Sequence, residues 1–178
     1  MKIAVVFAGI RYPLEKKDYY LNLAYETGRI LAQNNFVVAS GAGPGLMEMV
    51  LKGAVEAGGK TLGIALNLEG RGPSSYAQEL ACYDNFSERQ QKLISVGDIY
   101  LALPGGIGTV YEICDIIVRK KLKLISEDKK LILIGRDHKK FCELLSKITK
   151  DGFTNTPLEN FFCMVDDPSE IIQIIQSK

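Results

Sequence analysis

The chain is short of most side chains that metal and redox chemistry rely on. It has one histidine, His138, and four cysteines, Cys82, Cys114, Cys142 and Cys163, with no C-x-x-C pair among them. That spacing argues against a zinc site and against a disulfide framework, so neither a metal nor another cofactor is expected. No run of about 18 or more apolar residues occurs, which excludes a transmembrane helix. Neither sign of charge is in excess: 22 Lys and Arg stand against 21 Asp and Glu, a formal net charge of +1. This balance gives no support to nucleic acid or an anionic membrane as a partner. The first residues pass straight into a strand pattern without a long apolar segment or cleavage-site pattern, so a cytoplasmic protein is expected. The sequence shows no internal repeat, low-complexity tract or linker, and residues 1–178 read as a single domain with a substantial core.

What is present is a regular alternation. Short apolar runs at 2–8, 36–39, 61–66, 99–103, 131–134 and 161–165 read as strands, with a short extra strand at 81–83. Helical spacing is found at 18–33, 46–57, 139–149, from Thr109 to the basic cluster at 119–123, and from Asp167-Pro168 onward. Ser87 and Gln90 form a capping-box pattern that starts a further helix ending near Val96. Strands without polar alternation, separated by helices, predict an α/β, Rossmann-like doubly wound sheet, mainly parallel, with helices on both faces. Ligands in such sheets bind at the carboxyl ends of the strands near a topological switch point.

Glycine is concentrated at those ends: Gly9 after the first strand, 41–45 after the second, and Gly105, Gly106 and Gly108 after the 99–103 strand. A strand feeding a glycine turn into a helix N-terminus makes an anion site, because backbone N–H groups and the helix dipole both favour negative charge. The 41–45 turn has G-x-G-x-G spacing and no acidic residue ending the next strand, so it suits a mononucleotide better than a dinucleotide cofactor. No Lys-Ser or Lys-Thr follows either turn, which removes a P-loop. Thr109 and Glu112, three residues apart, are expected to share one face of the first helical turn. Arg89, in the first turn of its own helix, opposes that helix's dipole by about 0.3–1 kcal/mol, a cost that a nearby anion would offset.

The stretch PGGIGTVYE at 104–112 resembles the P-G-G-x-G-T-x-x-E signature of the Lonely Guy family, cytokinin riboside 5′-monophosphate phosphoribohydrolases long labelled possible lysine decarboxylases. GAGPGLME at 41–48 resembles the G-G-G-P-G-[IL]-M-E variant of related bacterial nucleotide 5′-monophosphate nucleosidases. Gly9-Ile10-Arg11 falls where many members have G-S-x-R, and Arg89-Gln90 where the family has R-K. The likeness runs over about residues 1–135. Ala42, Ile10, Gln90 and Tyr111 depart from the family pattern. The resemblance implies hydrolysis of the N-glycosidic bond of a nucleoside 5′-monophosphate, with Arg89 and Glu112 catalytic. It implies substrate binding by Gly9, Arg11, Gly43, Gly45, Met47, Glu48, Gly105, Gly106, Gly108 and Thr109. It also implies a homodimer or larger assembly, for which the apolar helix carrying Ile113, Cys114, Ile116 and Ile117 is the candidate surface. No lysine sits in a context that reads as a Schiff-base site, so the decarboxylase label finds no support. Molybdenum-cofactor carrier proteins, which bind a phosphorylated pterin without catalysis, share the fold and glycine motifs and give the alternative reading, together with a nucleotide sensor.

Overall fold

The computed structural model describes residues 1–176. In chain order its elements are β1 (Lys2–Phe7), α1 (Lys17–Gln33), β2 (Phe36–Ser40), α2 (Leu46–Glu56), β3 (Thr61–Leu66), β4 (Glu79–Tyr83), α3 (Phe86–Val96), β5 (Ile99–Ala102), α4 (Ile107–Lys121), β6 (Leu131–Ile134), α5 (Lys139–Lys150), β7 (Cys163–Val165) and α6 (Ile171–Gln176). The strands form one sheet in the order β4-β3-β2-β1-β5-β6-β7. Every pairing is parallel; Val5 of β1, for example, lies opposite Ala39 of β2 on one side and Tyr100 of β5 on the other. The expected Rossmann-like α/β architecture is the observed one. Strand order reverses beside β1, so the switch point lies between β1 and β5.

Strand alternation divides the core between the two faces. Ala4 and Val6 join Leu23, Ala24, Leu31, Val50 and Leu51 on the face covered by α1 and α2. Val5 and Phe7 join Leu93, Ile94, Ile113, Ile116 and Ile117 on the face covered by α3 and α4. The helices α1 and α2 meet backbone to backbone: a β-carbon on Gly28 would run into the Val50 carbonyl, and one on Gly53 into the Tyr25 carbonyl.

Several boundaries differ from the sequence reading. The N-cap of α3 is Asn85, not Ser87: its Oδ1 accepts from the N–H groups of Ser87 at 2.8 Å and Glu88 at 3.1 Å. Asn is as good a cap as Ser. The earlier start leaves Gln90 buried at 2 % exposure instead of turned back on the helix end. The helix α4 begins at Ile107, with Gly106 as its N-cap, so Glu112 falls in the second turn and not the first. The dipole fades within one turn, so it does not account for that carboxylate. The strand expected at 161–165 is trimmed to Cys163–Val165 because Leu158–Phe161 coils as a 3-10 turn. At the last helix, Asp167 and Glu170 form a capping box around Pro168.

Candidate functional site

The turns leaving β1, β2 and β5 are stitched together at the switch point. The Gly9 N–H donates to the Pro104 carbonyl at 3.2 Å, and the Gly9 carbonyl accepts from the Leu46 N–H at 3.0 Å. A β-carbon on Gly9 would lie 2.9 Å from the Gly105 Cα. Gly45, at φ 78°, presses against the Ile10 carbonyl. Gly9 and Gly45 therefore serve the approach of backbone to backbone.

Gly105 is also held by packing, because Thr109 is buried directly beneath it and its Oγ1 occupies the place a Gly105 side chain would need. Gly106 and Gly108 are different. A β-carbon at either would meet no atom within 4 Å. The backbone fold does not ask for glycine there; what the two glycines leave is open space over the α4 N-terminus. The Val110 N–H bonds back to the Gly106 carbonyl at 3.1 Å, while the N–H groups before it, at the helix start, have no intrahelical acceptor.

Two clefts open on either side of this turn. One, of about 280 Å³, reaches over the ends of β2 and β3 and is lined by Ile10, Gly43, Met47, Phe86, Arg89 and Gly108. The other, of about 410 Å³, reaches over the ends of β5 and β6; Arg11, Gly105, Gly106 and Thr109 line it together with Tyr12, Tyr20, Asp137, His138 and Phe141.

Arg89 is fixed on three sides. Its Nε–H donates to the Ile64 carbonyl at 3.0 Å, its Nη1–H donates to Glu112 Oε1 at 3.1 Å, and its guanidinium lies against Gly41, where a β-carbon would clash with it. The two side chains of the ion pair are 11 % and 12 % exposed. Burial pushes the Glu112 carboxyl up to about 7, against a pull downward from the charge and hydrogen bond of Arg89. The result is a carboxylate poised near neutrality, joined to a cation on the cleft wall. Such a group can hold or move a proton, or stabilise positive charge developing beside it.

Gln90, where the family has lysine, points away from both clefts. Its Nε2–H donates to Asp115 Oδ2 at 3.2 Å, and Asp115 Oδ1 accepts from Arg119 Nε at 2.6 Å. Gln90 thus ties α3 to α4 and forms no part of either cleft wall. Ala42 holds φ 50°, a left-handed conformation that favours glycine; it is fully buried and its carbonyl accepts from the Ser74 N–H at 2.8 Å. Glu48 sits half-buried on α2 and lines neither cleft. Of the aromatics near Arg89, Phe86 lines the smaller cleft and leans on Tyr111, with ring centroids 5.6 Å apart, while Tyr76 and Tyr83 pack against the core.

The sequence reading missed Tyr12, Tyr20, Asp137, His138 and Phe141. They come from three segments, and no spacing links them. Their only signal is that Asp137 and His138 directly follow a strand, at the edge where ligands bind. No lysine lines either cleft. The lysine buried deepest among the described residues, Lys120, spends its Nζ on the carbonyls of Glu127 at 3.0 Å and Lys129 at 2.6 Å.

A family model described as "Possible lysine decarboxylase" matches residues 47–175. The cytokinin riboside 5′-monophosphate phosphoribohydrolase of Rhodococcoides fascians is 29 % identical over 172 residues, covering 89 % of this chain and 82 % of that protein. The cytokinin riboside 5′-monophosphate phosphoribohydrolase LOG5 of Arabidopsis thaliana is 26 % identical over 167 residues, covering 91 % of this chain and 72 % of that protein. Among solved structures, that of TM1055 superposes with a TM-score of 0.76 at 26 % identity and covers 99 % of each chain. The molybdenum cofactor binding protein of Rippkaea orientalis gives 0.72 at 21 % identity, covering 99 % and 96 %, a likeness of fold.

Proposed function

This chain belongs to the family described as possible lysine decarboxylase, and from that membership we propose that it is a hydrolase cleaving the N-glycosidic bond of a nucleoside 5′-monophosphate to free base and ribose 5-phosphate. The observation that carries the reading is the buried Arg89–Glu112 pair beside a glycine turn whose Gly106 and Gly108 leave room over a helix N-terminus. A mononucleotide fits this division of labour. The 5′-phosphate takes the free N–H groups at the start of α4. The nucleoside extends into the smaller cleft past Gly43 and Met47 toward Arg89.

Bond cleavage builds positive charge on the ribose. The Glu112 carboxylate stabilises that oxocarbenium-like sugar and orients the water that adds to C1′, while the base leaves with a proton on its nitrogen. Arg89 holds Glu112 in place and favours its ionised form. The relatives named as phosphoribohydrolases support this reading; the clefts without lysine give a decarboxylase Schiff base nothing to form on. We further propose self-association through the outer stripe of α4. Ile107, Tyr111, Val118 and Leu122 recur at helical spacing there and are 85 %, 45 %, 50 % and 60 % exposed.

The test is direct. The protein is incubated with a panel of nucleosides and their 5′-monophosphates, and free base is detected by chromatography. Release from monophosphates, and far slower release from unphosphorylated nucleosides, is the expected result. Equal rates on adenosine and AMP would remove the phosphate site from the reading. Tight binding of phosphorylated ligands with no base released from any would favour the carrier-like alternative that the fold neighbours share.

A further inference from the structure

A mononucleotide placed as above reaches only the glycine-turn edge of the larger cleft and leaves its aromatic interior unused, and that interior is built as a site in its own right. Three aromatic side chains, Tyr12, Tyr20 and Phe141, wall a cavity of about 410 Å³, with Leu46 and Ile113 behind them. Its polar groups are few and fixed. The Asp137 carboxylate accepts from the Tyr20 hydroxyl at 2.9 Å. The His138 ring is 6 % exposed and bonds through Nε2 to the Ala102 carbonyl at 3.1 Å. A carbonyl only accepts, so Nε2 carries the proton and Nδ1 is left as a hydrogen-bond acceptor. Burial lowers the imidazole's proton affinity, which favours the neutral ring. Arg11 lines the same cavity and has no acidic partner among the described residues. An apolar pocket with a few convergent polar groups is the usual form of a small-molecule site.

The two clefts share one turn. Gly106 faces the larger and Gly108 the smaller, and two residues span at most about 7 Å. A ligand can cross that ridge only through a short, thin, anionic link lying over the helix N-terminus.

Resting on the proposed nucleotide reading, we infer that the substrate continues past its 5′-phosphate: the larger cleft takes a second ring joined through a diphosphate, so that the ligand class is a nucleoside 5′-diphosphate bearing a second ring-containing group. The aromatic walls stack that ring, Asp137 and His138 Nδ1 accept hydrogen bonds from it, and Arg11 pairs with the second phosphate. The chemistry at C1′ is unchanged. Water adds there, the base leaves with its proton, and the diphosphate-linked remainder departs whole.

The experiment uses the full chain and three probes: AMP, ADP and the diphosphate-bridged dinucleotide of two adenosines. Dissociation constants are measured by calorimetry in the Glu112→Gln background, where turnover is suppressed. The dinucleotide is expected to bind at least about 10-fold tighter than AMP, with ADP gaining less than about threefold, since ADP adds charge without a ring. Phe141→Ala and Tyr12→Ala, placed singly in that background, should each remove most of the dinucleotide's advantage. Placed in the active protein they should leave AMP hydrolysis within about twofold; Tyr12→Ala decides the matter should Phe141→Ala unfold. The inference is overturned if the dinucleotide binds no tighter than ADP, or if its advantage survives both substitutions. AMP hydrolysis without any dinucleotide advantage sinks the inference alone. Dinucleotide binding in the larger cleft without base released from either AMP or the dinucleotide by the active protein sinks the hydrolase reading and leaves the ligand class standing.

Discussion

Arg89 Nη1 and Glu112 Oε1 are 3.1 Å apart and join α3 to α4; Arg89 lines the smaller cleft, Glu112 lines neither cleft, and both side chains stay almost out of water. They are separated by 23 residues in the chain. A buried pair of this kind is expensive to assemble: desolvation of two ions rivals their attraction, so stability alone is a weak reason to keep it. A chemical role is the better account, and it makes specific demands.

Glu112→Gln keeps the shape and removes the charge. Base release should fall by about 100-fold or more, the scale of losing one preorganised electrostatic stabiliser. Nucleotide affinity should stay within a few-fold, because the proposed phosphate contacts do not involve this side chain. Paired turnover and calorimetric binding measurements check this, and near-normal turnover would remove Glu112 from the mechanism.

The raised proton affinity of Glu112 sets a pH dependence in both activity and stability. In the proposed mechanism ionised Glu112 is the active form, so kcat/KM should climb with an apparent value near 7. Stability should run the other way. Between the ordinary 4.5 and about 7 the folded protein holds a proton that the unfolded chain has lost. The stabilisation is complete below that window and is lost as pH rises through it. Thermal melts of the wild type and Glu112→Gln from about pH 5 to 8 test the sign: the wild type should lose ground relative to the variant as pH increases, and a constant difference would contradict the shift.

Gly108→Ala separates ligand approach from packing. Nothing lies within 4 Å of the added methyl, and the position is inside the first turn of α4. Alanine there should leave the melting temperature unchanged or raise it, with up to about 1 kcal/mol of helix propensity in its favour. The methyl should still obstruct a phosphate at the helix end, raising KM for the monophosphate by about tenfold or more. Steady-state kinetics alongside a melt decide it; unchanged KM would move the phosphate elsewhere.

The outer and inner stripes of α4 should respond differently to charge. Ile116 is fully buried against the sheet, so Ile116→Asp should unfold the protein, at a cost of several kcal/mol. This corrects the expectation that Ile116 or Ile117 forms the assembly surface: the sheet already covers both. Val118 is half exposed, and Val118→Glu should leave the fold intact while splitting any oligomer. Sedimentation of the wild type and Val118→Glu at matched concentration is the check, and a monomeric, fully active wild type would end the self-association reading.

The sequence by itself determined the layer architecture and the glycine turn at the start of α4. Short apolar runs without alternation, bounded by turn residues and separated by helical patterns, read as strands covered on both faces, and a glycine turn between a strand and a helix is a local feature that reads out from adjacent residues. Local patterns also carried the family signature at 104–112. The tertiary structure alone decided which distant side chains meet. Sheet order set α3 beside α4, so Arg89 reached Glu112 and Gln90 turned to Asp115. Folding also divided the turn's surroundings into two clefts, one of them walled by Tyr12, Tyr20, Asp137, His138 and Phe141, residues with no common spacing. The same packing separated the glycines: Gly9, Gly45 and Gly105 are filled against by neighbours, whereas Gly106 and Gly108 face open space. Periodicity records which face of an element is apolar; it holds no information on which other element that face will meet, because the choice is made by the free energy of burying all of them together.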